Sequence, residues 1–414
     1  MKWVSTTIGQ HCIVTSSKRF HLSERSNSGI PFYCSKEIIQ KVNGEEVTEC
    51  DYIKDEAYER IKKSFGVPQA GDLLLTTRGT YGIPYIYQDR DKFYFADGNL
   101  TWLKDFDDSL LSPFLYYWIR SHEGQKKIDA IAKGTAQKAV PISLIKDILL
   151  SIPPVQYQQK VVDILSAYDN LIENNQKQIK LLEETAQRLY KEWFVDLRFP
   201  GHETTPIVDG VPEGWICCLF GDIECTVESG SRPKGGIDSS LKDGIPSVGA
   251  ENVIGLGKYN YKSEKLVTRD YYIGMKRGKI KDRDILIYKD GAYIGKTSLF
   301  QDNFPHKKAA VNEHVFLLHS ADESIQYYLF FTLYQKEYYQ KMQKLNKNAA
   351  QPGINANALR SLPIVLPTTS VLSRFNSFVT PLLHKIFDIA KQNRQLVLTR
   401  DRLLPKLIGG EIEV

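Results

Sequence analysis

The stretch VVDILSAYDNLIENNQKQIKLLEETAQRLYKEW, residues 161–193, decides the fold of this 414-residue chain. Its apolar residues recur at spacings of four and three, with Lys, Glu, Gln and Asn between them. A seam of this kind, sustained for nearly five heptads, is typical of a helix that pairs with another helix. At about 1.5 Å per residue, a helix over residues 156–194 would be roughly 58 Å long.

The seam of this helix has a counterpart about 214 residues later. The first seam is predicted at Val161, Leu165, Tyr168, Ile172, Asn175, Ile179, Leu182 and Leu189, and the second at Phe375, Val379, Leu382, Ile386, Ile389, Asn393, Leu396 and Leu403. We expect an intramolecular antiparallel coiled coil, because burying about ten side chains per helix at roughly 1.5–3 kcal/mol each outweighs most alternatives. The alternative is that the helices serve separate domains and never meet. Asn175 and Asn393 are polar positions that fix register, whereas Pro381 and Pro405 predict a bent or shortened second helix.

The second helix belongs to a tandem duplication that covers nearly the whole chain. Trp3 aligns with Trp215, and Asp72-Leu-Leu-Leu with Asp284-Ile-Leu-Ile, at a shift of 212 residues. Further on, LLSIP at 149–153 aligns with PIVLP at 363–367, at a shift of 214. The predicted division is a globule at 1–153, a central helix at 154–195, a linker at 196–213 rich in Pro and Gly, a second globule at 214–367 and a C-terminal helix at 368–414.

Each globule mixes short β-rich runs with helical patches that do not alternate regularly. The run Phe93-Tyr-Phe-Ala is typical of a strand, and residues 327–341 of a helix. The predicted fold class is therefore α+β, with two similar globules separated by two long helices.

The segment DGAYIGKT at 290–297 raises the possibility of a phosphate-binding loop. Gly291 and Gly295 are one residue too close for a P-loop, and the turn-like sequence after Thr297 does not predict a helix. The counterpart in the first copy, RGTYGIP at 78–84, lacks the lysine and the hydroxyl that such a site requires. We interpret both segments as strand-turn-strand hairpins in which glycine adopts a conformation that other residues avoid.

Composition and charge narrow the class of protein. The chain is 42% hydrophobic and 25% charged, and it has neither a long apolar run nor a signal-like N-terminus, which predicts a cytoplasmic protein without a membrane partner. The six cysteines lack metal-ligand spacing and are expected to be reduced structural thiols. Lys and Arg outnumber Asp and Glu by 21 to 16 in residues 214–367, as on a nucleic-acid-binding surface or a merely solvated one.

Several motifs together resemble the specificity subunit of type I restriction-modification systems. They are the central run from Ile152-Pro-Pro-Val155 to Trp193-Phe-Val-Asp196, the closing LLPKLIGGEI at 403–412, and AQKAVPISLIKDILLSIP at 136–153. The resemblance covers the whole chain. The second copy departs from the pattern at 367–373, PTTSVLS, where the family usually has a second proline and glutamines, so the start of the second helix is open.

The resemblance implies that each globule is a target-recognition domain for one half of a split sequence in double-stranded DNA. The helices would set the spacing and dock two modification subunits, which hold S-adenosylmethionine and methylate adenine. Restriction subunits, the motor-nucleases, would join them and use ATP and magnesium. This chain itself would bind no cofactor and no metal and would have no catalytic residues. The alternatives are a coiled-coil adaptor that reads no DNA, and a self-contained NTPase or nuclease built on Lys296.

The residues themselves favour a non-catalytic chain. No Asp/Glu-x-Lys motif occurs, so a metal-dependent nuclease core would lack its lysine. The single Pro-Pro offers neither the amide nor the aromatic ring of an amino-methyltransferase loop. Val253-Ile-Gly-Leu-Gly257 is a weak nucleoside-binding signal, because no strand-to-helix continuation with a later acidic residue is evident.

DNA contacts are predicted in the glycine hairpins and in the segments before the last short helix of each globule. Base readout favours Arg, Lys, Asn and Gln, and phosphate contacts favour Lys, Arg, Ser and Thr. The candidates are Thr77, Arg78, Thr80, Tyr81, Lys133, Thr135, Gln137 and Lys138 in the first copy, and Arg232, Lys234, Lys289, Tyr293, Lys296, Lys344, Lys347, Asn348 and Gln351 in the second. Because Arg78 corresponds to Asp290 and Lys138 to Pro352, we expect the half-sites to differ in sequence.

Overall fold

The structure is a computed structural model that describes residues 2–134, 138–346 and 352–414. The chain divides into two compact units. One comprises residues 1–173 together with 396–414, and the other comprises residues 174–395. Both long helices contribute residues to both units, because each helix crosses a boundary between them.

Among the described residues of the first unit, ten strands and five short α-helices precede the first long helix. The strands are β1 (Val4–Thr7), β2 (Ile13–Thr15), β3 (Arg25–Ser26), β4 (Ile30–Tyr33), β5 (Asp51–Ile53), β6 (Leu73–Thr76), β7 (Pro84–Ile86), β8 (Tyr94–Phe95), β9 (Leu100–Lys104) and β10 (Leu149–Ile152). The helices are α1 (Ser35–Val42), α2 (Asp55–Ser64), α3 (Ser112–Arg120), α4 (His122–Ile131), α5 (Ile142–Ile145) and the long α6 (Val155–Tyr190).

The core of the first unit is built around an antiparallel sheet of order β2-β9-β6-β7. Leu73, Leu74 and Leu75 on β6 are each at most 1% exposed. A strand with its whole apolar run buried is covered on both faces, which explains why the run does not alternate with polar residues. A second sheet has the order β3-β5-β4-β8, and β1 pairs with β10 just before α6 begins.

The part of the second unit that the structure describes adds eleven strands, four short α-helices and the second long helix. The strands are β11 (Ile207–Val208), β12 (Val211–Pro212), β13 (Ile216–Leu219), β14 (Cys225–Ser229), β15 (Ile245–Val248), β16 (Lys265–Val267), β17 (Asp284–Tyr288), β18 (Thr297–Phe300), β19 (Ala310–Val311), β20 (Val315–Ser320) and β21 (Pro363–Leu366). The helices are α7 (Arg269–Gly274), α8 (Gln326–Tyr334), α9 (Lys336–Lys344), α10 (Ala356–Arg360) and α11 (Thr369–Ile408).

The strand order of the first unit recurs in the second. The main sheet has the order β14-β20-β17-β18, the pair β13-β21 matches β1-β10, and the sheet β16-β15-β19 matches β5-β4-β8. Register recurs as well, since Val4 lies opposite Ile152 and Ile216 opposite Leu366. The predicted duplication and the α+β class are confirmed by this shared topology.

The long helices run antiparallel where they meet within each unit. In the first unit, Tyr157 near the start of α6 donates its hydroxyl to the carbonyl oxygen of Leu407, near the end of α11, at 3.1 Å. In the second unit, the Asn175 side-chain amide donates to Asn393 Oδ1 at 2.9 Å. The two predicted polar seam positions therefore satisfy each other. None of the predicted seam residues is exposed; Val161, Leu165, Phe375 and Ile386 are fully buried.

Proline was predicted to bend or shorten the second helix; the shortening is wrong, and the bend stays a prediction. Helix α11 continues for 40 residues through Pro381 and Pro405. An interior proline costs a helix about 3 kcal/mol, but burial of the α11 seam offsets this cost. Both proline side chains lie on the exposed face, where the rings displace no core residue. The sequence left open where the second helix starts within residues 367–373. In the structure, α11 begins at Thr369.

The segment predicted as a flexible linker, 196–213, has defined structure. It contains the β11–β12 hairpin, and Phe199 is buried with its ring centroid 5.1 Å from that of Trp215. Helix α6 ends in a π-helical turn over Lys191–Val195 that places Trp193 in the core of the second unit. Among the described residues, no helix combines the length and apolarity needed to cross a bilayer.

Candidate nucleic-acid interface

Each unit contains the predicted glycine hairpin. Strands β6 and β7 pair antiparallel in the first unit, as β17 and β18 do in the second. The connecting turns contain Gly79 at φ +72° and Gly291 at φ +125°, in the left-handed region that glycine alone adopts readily. The hairpin prediction is confirmed in both copies.

The Gly-Lys-Thr sequence in the second hairpin does not have the surroundings of a P-loop. Thr297 begins strand β18, whereas a P-loop requires a helix whose N-terminus faces the phosphates. The Thr297 side chain is buried, and its hydroxyl donates to the carbonyl oxygen of Gly295 at 3.0 Å. Lys296 is exposed, with its ammonium 4.0 Å from the ring centroid of Tyr293. Such a cation–π contact accounts for the lysine without a nucleotide.

The two predicted contact segments of each globule come together. In the first unit, the Val140 amide donates to the Thr77 carbonyl oxygen at 2.8 Å. In the second unit, the Ile354 amide donates to the Lys289 carbonyl oxygen at 3.1 Å. These bonds connect the base of each hairpin to the segment of chain that follows α4 in the first unit and α9 in the second. The glycine hairpin and the segment bonded to it therefore form one surface in each globule, which we call the hairpin surface.

The hairpin surface of the first unit carries unpaired cations. Arg78, Lys133 and Lys138 are exposed, and none of them forms an ion pair within the described part of the chain. Thr80 is also exposed. Cations that no carboxylate neutralises are free to approach phosphate groups.

Two of the predicted contact residues in the first hairpin are not fully exposed. Thr77 is 2% exposed, and its hydroxyl is enclosed without a hydrogen-bond partner, so only its backbone faces the neighbouring segment. Tyr81 is half-buried, and a hydrogen bond to the Asp129 carboxylate raises the pKa of its hydroxyl. Thr135 and Gln137 lie outside the described residues.

In the second unit, a chain of polar contacts between basic and acidic side chains joins the hairpin surface to the loop after β14. Arg232 Nε lies 2.9 Å from Glu313 Oε1, and His314 Nε2 lies 3.5 Å from the same oxygen. His314 Nδ1 is 3.2 Å from Asp290 Oδ2, and the Lys289 ammonium is 3.7 Å from that oxygen. The predicted candidates Arg232 and Lys289 are thereby neutralised by carboxylates, unlike Arg78 in the first unit.

The remaining candidates of the second unit are scattered around this chain. Tyr293 is 53% exposed at the hairpin turn. Lys234 and Lys344 are exposed and have no ion pair in the described ranges. Lys347, Asn348 and Gln351 lie outside the described residues.

Comparisons with known proteins bear on this repeated arrangement. Residues 1–184 match the sequence model of a family described as "Type I restriction modification DNA specificity domain". The MjaIX type I restriction enzyme specificity subunit of Methanocaldococcus jannaschii is 28% identical over 361 residues, which cover 83% of this chain and 78% of that protein. The HindI specificity subunit of Haemophilus influenzae is 21% identical over 447 residues, covering 89% and 90%. Residues 1–184 thus match the DNA specificity domain of type I restriction-modification systems, and the chain is similar to specificity subunits over most of its length.

A solved structure supports the fold of this chain. The type I restriction-modification S subunit of M. genitalium superposes with a TM-score of 0.59 over 98% of this chain and 96% of its own, at 16% identity. At that identity the likeness shows the fold alone. The α+β architecture derived above is thus shared with that S subunit.

The weak nucleoside-binding signal at residues 253–257 has a packing explanation. Leu256, between the two glycines of Val253–Gly257, is 0% exposed. A Cβ added at Gly257 would lie 2.7 Å from Ile386 Cγ2 and 3.5 Å from Ile179 Cγ2, on the two long helices. Glycine is required because the loop lies directly against the helix pair within the second unit. The motif therefore gives no support to a cofactor site.

The six cysteines of this chain form no disulfide bond. All six thiols are free, and burial raises the pKa of Cys12 to about 12. A thiol with so high a pKa is a poor nucleophile and a poor metal ligand at neutral pH. In the described part of the chain, no group of three or more His, Cys, Asp or Glu side chains is arranged to hold a metal ion.

Sequence reasoning missed Glu313 and His314. Their counterparts in the first copy are Gly98 and Asn99, so the duplication gives no signal there. Both residues precede β20 and reach the hairpin only through strand pairing in the main sheet. The excess of basic residues in 214–367 was a usable signal for Lys276 and Arg277, which are exposed and without ion pairs in the described structure.

Proposed function

We propose that this chain is a type I restriction-modification specificity subunit and that it reads a bipartite target in double-stranded DNA, one half-site with each globule. The observation that carries the proposal is the recurrence of one hairpin surface, with the same strand order and backbone hydrogen bonds, in both units. One globule contacts only a few base pairs, and each good base contact contributes about 1–3 kcal/mol of discrimination. Two globules in one chain multiply that discrimination.

The chemistry of the two hairpin surfaces supports different half-sites. Arg78 has the fork of donors that matches guanine O6 and N7, whereas its counterpart Asp290 is an acceptor already held by His314 and Lys289. Lys133 and Lys138 are suited to phosphate contacts, which position a protein without reading sequence. The first globule therefore relies on free cations, and the second on a neutralised network with an exposed tyrosine.

The helices are proposed to set the distance between half-sites and to dock two modification subunits. The approximate repeat of each globule with its helix segments supports two copies of one partner, since equivalent surfaces bind equivalent chains. S-adenosylmethionine would be held by these modification subunits, and ATP and magnesium by restriction subunits that join them. This chain would be non-catalytic, bind no cofactor and act in the cytoplasm.

The test is binding by the chain assembled with its modification subunits. In a gel shift, the complex should prefer duplexes that contain its methylation site over random duplexes, and the preference should persist as rising salt weakens both. Equal binding to both duplexes would support a coiled-coil adaptor and overturn DNA reading. Hydrolysis of ATP or DNA by the purified chain alone, abolished by Lys296→Ala, would overturn the non-catalytic assignment.

A further inference from the structure

One carboxylate holds the arginine that the loop after β14 contributes to the hairpin surface of the second unit. Glu313 Oε1 lies 2.9 Å from Arg232 Nε. The main chain of Glu313 holds a second cation, because the Lys289 ammonium donates to its carbonyl oxygen at 3.1 Å. Arg232 and Lys289 are both predicted DNA contacts, so Glu313 occupies two basic groups that DNA phosphates would otherwise attract.

The Glu313 carboxylate has few partners that could replace Arg232. Its second oxygen, Oε2, is enclosed and has no hydrogen-bond partner among the described residues. His314 Nε2 lies 3.5 Å from Oε1, which is longer than an ordinary hydrogen bond. If Arg232 left, a poorly compensated negative charge would remain on the surface that faces a bound duplex. Release of Arg232 is therefore unfavourable unless the duplex offers contacts that offset it.

A second carboxylate adds to the negative field around Arg232. Burial raises the pKa of Glu251, but contacts that include Lys265 and the charge of Arg232 outweigh burial and hold that pKa below its usual range. The Lys265 ammonium lies 2.9 Å from Glu251 Oε1, so this carboxylate has a direct partner of its own. Glu313 is thus the carboxylate in direct contact with Arg232, and Glu251 attracts the same arginine at longer range.

The ion pair between Glu313 and Arg232 is nevertheless weak enough for DNA to exchange it. Both side chains are 38% exposed, and water and salt screen ion pairs of that kind. A phosphate that correct base contacts hold in place can replace Glu313 as the partner of Arg232. A phosphate of random sequence, placed without those contacts, gains too little to do so.

The first unit has a glycine where the second has Glu313. This residue, Gly98, lies at φ +70°, with open space where a Cβ would be. Arg78, Lys133 and Lys138 are exposed and form no ion pair with any residue that the structure describes. The cations of the first hairpin surface are therefore available to any duplex, whereas Arg232 in the second unit is already paired.

We propose that Glu313 competes with DNA for Arg232, holding this arginine on random duplex and releasing it only on the half-site that the second globule recognises. This inference rests on the proposed DNA-reading function and adds a difference between the globules. Random duplex is then bound by the free cations of the first globule, such as Lys133, and Arg232 contributes only when the complete target is bound. Because each phosphate contact releases counterions, the two situations differ in the salt dependence of binding.

The experiment measures duplex affinity by fluorescence anisotropy over a salt series, for the complex of this chain with its modification subunits. One duplex contains the methylation site mapped for that complex, and the other is a random duplex of the same length. The variants are Glu313→Gln, Arg232→Ala, their combination, and Lys133→Ala. The matched control is Glu323→Gln, because Glu323 follows the opposite end of β20 and also contacts an arginine, Arg283 at 3.3 Å, and a histidine, His319 at 3.4 Å.

Glu313→Gln should bind random duplex roughly 2- to 5-fold more tightly and steepen its salt slope by about one, since Arg232 then contacts a phosphate. Binding to the methylation site should tighten by at least the same factor with an unchanged slope, because Arg232 is already released there. Arg232→Ala should flatten the slope on the methylation site alone, whereas Lys133→Ala should flatten it on both duplexes. The combined variant and Glu323→Gln should keep the wild-type slope on random duplex.

The competition is overturned by an unchanged random-duplex slope in Glu313→Gln, or by a steeper slope that persists in the combined variant or appears equally in Glu323→Gln. A flatter random-duplex slope in Arg232→Ala would show that Arg232 already contacts random DNA and would overturn it too. Each of these results leaves DNA reading intact. A wild-type complex without preference for its methylation site would instead overturn the proposed function and the competition with it.

Discussion

In the first unit, the carboxylate of Asp169 on α6 holds Arg120 Nη1 at 3.0 Å, Arg400 Nη1 at 2.6 Å and the Tyr117 hydroxyl at 2.8 Å. At the equivalent places of the second unit, 214 residues away along the chain, Leu383 replaces Asp169 and Ala186 replaces Arg400, both 0% exposed. One copy thus uses an ionic network where the other uses an apolar layer. The duplication preserved the backbone arrangement and left the side-chain chemistry free to change.

The difference matters because the two kinds of contact respond differently to change. An apolar layer tolerates swaps of similar volume but not a charge, since an unpaired buried charge has no solvation. An ionic network is destabilised by a substitution that removes one partner and leaves the other charge unpaired. Burial raises the pKa of Asp169, but Arg120 and Arg400 outweigh burial and hold that pKa below its usual range.

The largest effect should come from placing the charge of one unit in the layer of the other. Leu383→Asp would bury a carboxylate with no cation opposite, and we expect the second unit to lose about 5 kcal/mol of its free energy of unfolding. Hydrogen exchange resolved by segment should show faster exchange in β17 and α8 than in the wild type. Leu383→Met is the matched control and should change little. Unchanged exchange in Leu383→Asp would contradict the apolar-layer account.

Removing the carboxylate from the first unit should have the next largest effect. Asp169→Ala leaves Arg120 and Arg400 facing each other, and we expect a loss of about 2–4 kcal/mol, reduced from a fully buried case because all three side chains are partly exposed. The double variant Asp169→Leu/Arg400→Ala removes one of the two cations left unpaired, while Arg120 still donates to the Tyr116 hydroxyl at 2.9 Å, and should recover part of the loss. The loss and its recovery are measured by urea denaturation of the two variants, followed by hydrogen exchange in α3. A double variant no more stable than Asp169→Ala would contradict the role given to the unpaired cations.

A smaller effect is expected from pH at the second unit's central strand. Burial raises the pKa of Asp284 to about 6, even though the Lys281 amide and His319 favour its charged form. A raised carboxyl pKa means that the folded state binds a proton more tightly than the unfolded state between about pH 4 and 6. Stability should therefore rise as pH falls from 7 to 5, by about 1–3 kcal/mol from this group.

The Asp284→Asn variant isolates that contribution. The difference in free energy of unfolding between wild type and variant should change across pH 5–7 in the direction given above. A difference that stays constant with pH would show that Asp284 does not titrate in this range. The equivalent Asp72 also has its pKa raised by burial, so Asp72→Asn offers the same measurement in the first unit.

The smallest effect concerns the hairpin surfaces. Arg78→Ala should weaken DNA binding by about 1–3 kcal/mol and relax one base position, whereas Asp290→Ala removes an acceptor that is already internally paired and should weaken binding less. Fluorescence anisotropy of the assembled complex over a salt series measures both. A greater loss of affinity in Asp290→Ala than in Arg78→Ala would reverse the roles assigned to the two surfaces.

The features predictable from sequence are those with a period or a repeat. The heptads of α6 predicted a helix at 154–195, and the helix with its π-helical turn extends from Val155 to Val195. The repeat predicted equivalent globules, and their strand registers agree. The heptad pattern is local, and the repeat appears at a nearly constant shift along the chain. Both can therefore be found without tertiary information.

The features that could not be predicted depend on side chains brought together by the fold. Nothing in the sequence indicates that Asp169 meets both Arg120 and Arg400, or that Arg232 reaches Glu313. Thr77 is buried because of the order of the strands in the sheet. The residue types in the turn give no indication of that order. The persistence of α11 through Pro381 reflects tertiary burial that overrides local propensity. The role of each hairpin residue in DNA contact stays a prediction.

The most direct test of the central claim is to lengthen both long helices by one heptad at the level of Asn175 and Asn393, and to map the adenines methylated by the assembled complex. The account predicts that both half-sites keep their sequences while the gap between them grows by roughly three base pairs, since a heptad adds about 10 Å and one base pair about 3.4 Å. An unchanged gap in a folded, active complex, or altered half-site sequences, would contradict the account.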